Sequence, residues 1–257
     1  MKHKLKIFLT FFFNPIAEKL GYQRQLIGNN NPNDKNSLLK TFFNVSISMG
    51  FIPKHIIDIG ANHGTWTRET IKYFPDAHYT MLEPQHWLRE SFQDLMDLNP
   101  RIDFHAVGAG NKIGTFEFTI VDRDDSCNFR YTKEEAKERG YEQIEVPIIT
   151  LDDLILSQKN KPFPDLVKID AEGLDIQVLE GASSLMGKTE VFMVEAAVGC
   201  KEMTNSLLKI VNYMNEKGYI LFDITDLNRP FSIEILWLTE LVFIKKNGVL
   251  DRYKVEL

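Results

Sequence analysis

The sequence predicts an α/β domain built on a mostly parallel sheet with helices on both faces. Three observations predict it. From Lys54 onward, short apolar runs alternate with stretches that are apolar at helical spacing. A turn bracketed by glycines, Gly60-Ala61-Asn62-His63-Gly64, separates the first such run from the next helix-like stretch. The last two apolar runs are joined with no helix between them. Short apolar strands alternating with amphipathic helices imply parallel strands buried on both faces. A strand pair without a crossover helix is expected to be antiparallel.

Taken in order, the chain opens with MKHKLKIFLTFFFNP, three lysines followed by an apolar run from Ile7 to Phe13. The run is at the short limit for a secretory signal, lacks a small-residue cleavage site and is too short to span a bilayer. It reads as a helix against the body of the protein, with contact at a membrane surface as the alternative. Gly28–Ser37 is polar, aperiodic and carries a proline, which reads as a loop or linker. Leu38–Met49 is apolar at helical spacing. This gives an N-terminal helical extension and linker over 1–50 and a main domain over 51–257.

Within that domain, strands are expected at His55–Ile59, His78–Leu82, Asp103–Val107, Leu166–Ile169 and Val191–Glu195. Helices are expected at Thr65–Tyr73, Trp87–Asp97, Leu174–Leu185 and Glu202–Glu216. Tyr219–Ile224 and Ile235–Lys245 form the helix-free terminal pair. Thr115–Val121 and Glu145–Ile149 read as two further strands. The segment 122–143 between them reads as an insertion with a short charged helix, a solvated face and a candidate lid over a substrate.

Length, charge and cysteines narrow the function. At 257 residues the chain can bury a full core, and 44% hydrophobic with 26% charged residues is ordinary for a globular protein. A net charge of −6 argues against a general nucleic-acid binder. Two cysteines, Cys127 and Cys200, make neither a zinc framework nor a disulfide scaffold and fit a reducing compartment.

The glycine turn asks for a ligand. Ligands of open α/β sheets bind outside the carboxyl ends of the strands. Gly60 and Gly64 permit unusual dihedrals and close approach, and a helix starting near Gly64 directs N–H groups at an anion. A carboxylate such as the methionine tail of S-adenosylmethionine would suit it. The spacing is not the G-x-G-x-x-G of a dinucleotide fold. Glu83, just past the second strand, can accept both ribose hydroxyls of a nucleoside, and Pro84 stiffens the turn behind it. Asp58 is expected to support the loop by bonding its N–H groups.

A second cluster lies in LVKIDAEGLDIQVLEGA, residues 166–182. Asp170 and Glu172 end one strand, and Glu195 ends the next. Such acids are costly to place together unless something uses them. One can serve as general base on a hydroxyl or align it, or the three can hold a divalent cation such as magnesium. Asp175 reads as a dipole partner of the following helix. Lys168 reads either as a buried ion-pair partner or as a residue lining the site.

IIDIGANHGTWT, YTMLEP, HAVGAGNKIGTFEF, VPIITLDDLI and LVKIDAEGLDIQVLEGA occur here in one order. In this the chain resembles FkbM-type methyltransferases over about residues 54–245. The resemblance implies a class I, Rossmann-like fold with a seven-stranded sheet and an antiparallel last strand. It implies S-adenosyl-L-methionine as donor, held at its methionine end by Gly60, Ala61, Asn62 and Gly64 and at its ribose by Glu83. Ala106 and Val107 would fall at the adenine, and Asp170 and Glu172 on the family's Asp-x-Glu-Gly motif. His63 departs from the pattern and reads as a partly exposed loop side chain. Ser126, Cys127 and Asn128 are further candidates for contact with substrate or cofactor.

The expected activity is O-methylation of a small-molecule hydroxyl on a sugar, glycan or polyketide-type acceptor. Trp66, Trp87 and Phe129 are candidates to stack on it, and His63, His86 and Glu195 are outside candidates for base. One rival is a short-chain NAD(P)-dependent oxidoreductase, suggested by Tyr213 and Lys217 at i, i+4. The other is a non-catalytic scaffold of the same fold. Use of this donor places the chain in the cytoplasm, with a membrane surface as the alternative neighbour.

Overall fold

The structure is a computed structural model that describes residues 37–200 and 205–253. The sequence expectations for residues 1–36, the apolar run Ile7–Phe13 included, lie outside the described residues. Leu38–Leu257 forms a compact unit.

This unit opens with helix α1 (Ser37–Ser48), whose Phe42 and Phe43 are fully buried. The helix therefore belongs to the core, inside the 1–50 segment drawn from sequence. There follow β1 (His55–Ile59), α2 (Thr65–Thr70), β2 (His78–Leu82), a 3-10 helix (His86–Phe92), α3 (Gln93–Leu98) and β3 (Ile102–His105). A second group comprises β4 (Gly108–Ala109), β5 (Gly114–Ile120), α4 (Lys133–Arg139), β6 (Glu142–Ile149) and α5 (Leu151–Ser157). Next come β7 (Leu166–Ile169), α6 (Asp175–Glu180), β8 (Val191–Ala197), α7 (Leu207–Glu216), β9 (Tyr219–Asn228) and β10 (Leu238–Lys245).

Seven strands form one sheet in the order β3-β2-β1-β7-β8-β10-β9. β1, β2, β3, β7 and β8 pair in parallel, while β10 runs antiparallel to both β8 and β9. The expected helix-free antiparallel pair is present. The register puts Asp58 beside Lys168 and Glu195 opposite Glu240. Every residue of β1 is buried, as a central strand covered on both faces requires. One face carries Ile57, Val167, Phe192 and Phe243 under α5, α6 and α7. The other carries Ile56, Tyr79, Met193 and Val242 under α1 and the Phe74, Phe92 and Leu95 side chains.

β4, β6 and β5 make a second, three-stranded sheet. The expected insertion is thus the long connection of the β5–β6 antiparallel pair, with its own small core of Phe118, Cys127, Val146 and Ile148. α4 begins in a Thr132/Glu135 capping box and ends at Gly140 in the left-handed region. Only Ala136 of this helix is buried, which fits the solvated-face reading.

Several boundaries differ from the sequence reading. α6 stops at Glu180 with Gly181 as its C-cap, and Gly181 lies hard against the Gly110 carbonyl, where a Cβ would meet that oxygen at 2.1 Å. β8 runs on to Ala197 because β10 supplies partners that far. α5, capped by the Thr150 hydroxyl accepting from Asp153 N, is an element the periodicity did not yield.

Candidate functional site

The carboxyl ends of β1, β2 and β7 meet at one edge of the large sheet. After Ile59 the chain turns through three left-handed residues, Gly60 (φ 73°), Asn62 (φ 46°) and Gly64 (φ 73°). A Cβ on Gly60 would lie 1.8 Å from the Asp170 carbonyl oxygen. Glycine there gives the left-handed dihedral expected from sequence and also serves a contact between the β1 and β7 turns that the sequence reading did not foresee. The N–H groups of this turn are engaged within the protein. Gly60 and Ala61 donate to Leu82 O, Gly64 to Ala61 O, and His63 to its neighbour's Asn62 Oδ1. Open donors begin instead at α2, whose N-cap Gly64 receives no side-chain cap bond.

The Asn62 N–H donates to Glu83 Oε2 at 2.8 Å, and Gln85 N–H donates to Glu83 Oε1 at 3.0 Å. Glu83 is only 3% exposed, so burial raises its pKa while the two amides oppose that rise. Its carboxylate clamps the glycine turn to the end of β2, and a carboxylate oxygen that accepts one bond has a further lone pair to offer. Ala61 and Pro84 are buried beside it. Ala106 and Val107 follow β3 and are half-buried, with Val107 against the core.

Asp58 does not bond the loop N–H groups, contrary to the sequence reading. Its Oδ2 accepts from the Thr67 hydroxyl at 2.6 Å, and its Oδ1 faces Lys168 Nζ at 3.6 Å. It is buried one strand position before the turn and reaches sideways along the sheet, so it fixes α2 from beneath. Lys168 is the buried ion-pair partner. Its Nζ lies 3.1 Å from Asp170 Oδ2 and 3.4 Å from Gly60 O, and the acids around it hold it charged.

Beyond β7, Asp170 is partly exposed and Glu172 sits at φ 48°, a conformation costly for a non-glycine residue. Burial and the charge of Asp170 push Glu172 up to about 8, with Arg130 pulling the other way. Asp175 caps this turn: its Oδ1 accepts from Ala171 N and its Oδ2 from Asn205 Nδ2. Glu195 lies further along, with Oε2 buried and unbonded, its pKa raised by burial and by the neighbouring acids. Among the described residues no group of three or more His, Cys, Asp and Glu is arranged to hold a metal ion. Asp170, Glu172 and Glu195 share a neighbourhood, where the charge of Asp170 acts on both glutamates and that of Glu172 on Glu195.

The β5–β6 connection crosses this edge. His63 Nε2 bonds Asp124 Oδ2 at 2.6 Å and its Nδ1 bonds Ser91 Oγ at 2.8 Å, so His63 is a bridge, not merely an exposed loop side chain. Gln85 Nε2 donates to the Asp124 carbonyl at 2.9 Å. Arg130 covers Gly173, whose Cβ would meet Arg130 Cγ at 2.8 Å. A cavity of about 490 Å³ opens between Gln85, Trp87 and the Ile120–Asp124 stretch, with Cys127 on its wall. Sequence reasoning missed Gln85; its place two residues past Glu83 was the available signal.

Other candidates fall elsewhere. Trp66 packs on Phe43 and Phe129 on Phe118, whereas Trp87 borders the cavity. Asn128 is buried and spends its side chain on Ser126 O and Arg130 N. His86 is exposed beside Trp87. Tyr213 donates to Leu179 O while Lys217 Nζ sits 5.2 Å over its ring, a stacking arrangement on α7.

A seven-stranded sheet with one reversed strand inserted next to its edge, and a glycine turn after β1, defines the class I methyltransferase fold. The Methyltransferase FkbM domain model matches residues 58–221, so the chain belongs to the FkbM methyltransferase family. The fold is similar to that of methyltransferase FkbM from Methylobacillus flagellatus KT (TM-score 0.51, 20% identity over 74% of this chain). This chain spans 43% of the length of that protein. Fainter likenesses are to precorrin-6y C5,15-methyltransferase from Geobacter metallireducens GS-15 (TM-score 0.45, 13% identity, 80% of this chain and 87% of that one). Another is to 1,6-didemethyltoxoflavin-N1-methyltransferase from Burkholderia thailandensis (TM-score 0.43, 11% identity, 95% and 89%). No curated protein matches the sequence.

Proposed function

We propose that the chain is an S-adenosylmethionine-dependent O-methyltransferase acting on a hydroxyl of a sugar, glycan or polyketide-type acceptor. The observation that carries this reading is the Glu83 clamp. It places a buried carboxylate, a glycine turn and the Asp170–Glu172 turn together at the edge where this fold takes ligands. These residues fit a nucleoside cofactor. Glu83 keeps lone pairs for ribose hydroxyls, and the adjoining cavity is lined by Gln85, Trp87 and the Ile120–Asp124 stretch. Ala61, Asn62 and Gly64 would line the methionine end, and Ala106 and Val107 would border the base. When bound, S-adenosylmethionine supplies an electrophilic methyl on a sulfonium and leaves as a neutral thioether.

The chain's own work is to position and deprotonate the acceptor. Asp170, held by Lys168, aligns the acceptor hydroxyl. Glu172 takes its proton as the oxygen–carbon bond forms. A base titrating near 8 matches operation at neutral to mildly alkaline pH. The oxidoreductase rival loses its motif, since Tyr213 and Lys217 are engaged with each other and with Leu179. We place the chain in the cytoplasm, where the donor is made. No helix of the described residues is long and apolar enough to cross a membrane. Contact of the N-terminal run with a membrane surface remains part of the proposal.

The test uses a labelled methyl donor and a panel of glycan and lipid-linked acceptors. With an accepted substrate, the rate of the native chain should rise with pH up to about 8. Glu172→Gln should lower kcat by about 10²–10⁴ and remove that rise, while binding of S-adenosylhomocysteine persists. Unchanged kcat in the variant would remove Glu172 from the chemistry.

A further inference from the structure

A second cavity, of about 560 Å³, lies between α6 and α7. Gly173 and Gln177 line one side of it, and Lys209, Asn212, Tyr213 and Glu216 the other. On α7 those four positions are spaced i, i+3, i+4 and i+7, so they share one helix face about 10 Å long. The groove reaches Gly173, the residue after Glu172, and so opens beside the proposed base. Gly173 brings no side chain to that junction, and the exposed Arg130 covers it. Tyr213 is held in place before anything binds. Its hydroxyl donates to Leu179 O at 3.2 Å, and Lys217 Nζ lies 5.2 Å from its ring centroid. Lys209, Asn212 and Glu216 are exposed and Gln177 is half-buried, so two amides, an ammonium and a carboxylate share the cavity with that ring. A mainly aliphatic acceptor would desolvate those polar ends without pairing them. A sugar suits both: its C–H face rests on an aromatic ring, and its hydroxyls donate to and accept from amides and charged groups.

We propose that the groove between α6 and α7 holds the sugar unit next to the one that is methylated. The acceptor is then a glycan of at least two units, not a single sugar or a polyketide. Tyr213, Asn212 and Gln177 are specificity-determining residues that select for acceptor length. The inference rests on the methyltransferase reading and names its acceptor class.

The experiment is transfer of a labelled methyl group by the full chain to an array that holds monosaccharides, their di- and oligosaccharides and polyketide-type alcohols. Each accepted glycan is then assayed in solution against its own single unit as the methyl glycoside. The longer acceptor should show a kcat/KM roughly 10–100-fold higher. In the double variant Gln177→Ala and Asn212→Ala, two exchanges that favour a helix, the two acceptors should converge to within about threefold, through the KM of the longer one. A groove with only a structural role would lower both acceptors together and leave their ratio as it was; that result overturns the proposal. So does a native ratio near one, a measurement that needs no variant to fold. Methylation of polyketide-type alcohols alone, or binding of S-adenosylhomocysteine with no glycan methylated, overturns it too. If calorimetric titration shows that the native chain does not bind S-adenosylhomocysteine, the methyltransferase reading itself falls, which is a separate and recognisable failure.

Discussion

Lys168 shows how one side chain organises this site. It is a buried cation beside Asp58 and Asp170, and it also feels Glu240 and Glu195 across the sheet. One cation among so many carboxylates leaves some of them short of charge compensation. Burial raises Glu240 to about 7 and Asp175 to about 7. A carboxyl with a higher pKa folded than unfolded stabilises the fold fully below its unfolded value, near 4. That stabilisation is lost as pH climbs through the folded value, near 7. Thermal stability is therefore expected to fall between about pH 4 and pH 8. Glu240→Gln, which keeps an acceptor for the Thr225 hydroxyl, should flatten that fall. It should be about 1–3 kcal/mol more stable than the native chain at pH 8 and about equal to it at pH 4. Melting curves across that range check this. The role of Lys168 was ambiguous in the sequence because its partner Asp58 lies on another strand, 110 positions away by number, and only strand register brings them together.

At the scale of elements, the β1 turn is the sharpest case. Its glycine spacing and the left-handed dihedrals it permits were legible, but the packing partner of Gly60 was not. Gly60 is demanded by the Asp170 carbonyl of a turn more than a hundred residues later, a contact that local sequence does not announce. Gly60→Ala should cost roughly 2–4 kcal/mol, from the left-handed φ and the clash together. A urea melt measures this; a cost below about 0.5 kcal/mol would mean that the two turns are not in this contact. β1, β2 and β7 were read with their observed limits because buried central strands are written as unbroken apolar runs. Helix α5 escaped because its seven residues hold too few turns for a periodic signal, although Thr150 and Asp153 mark its start. The charged stretch 122–143 was read as an insertion between two strands, and what the sequence did not display is that those strands pair with each other and share a small core with Cys127.

The large sheet as a whole carries two cores and one working edge. Apolar faces under α1 on one side and α5–α7 on the other hold the strand ends rigid. Across those ends the β5–β6 connection joins His63 and Gln85 to Arg130 at the Gly173 turn. The fold, the glycine turn with Glu83 and the acidic cluster after β7 could be read from the sequence, since motif order carries them. The clamp, the bridge and the cavity could not, since each joins residues from separate strands. All of them serve the claim that this edge holds a sulfonium nucleoside with its sugar on Glu83. The most direct measurement is calorimetric titration of the native chain and Glu83→Ala with S-adenosylhomocysteine, and of the native chain with NADH. We predict single-site binding of S-adenosylhomocysteine, weakened at least about tenfold by Glu83→Ala, and no binding of NADH. Binding of NADH alone, or equal affinity in the two proteins, would contradict the account.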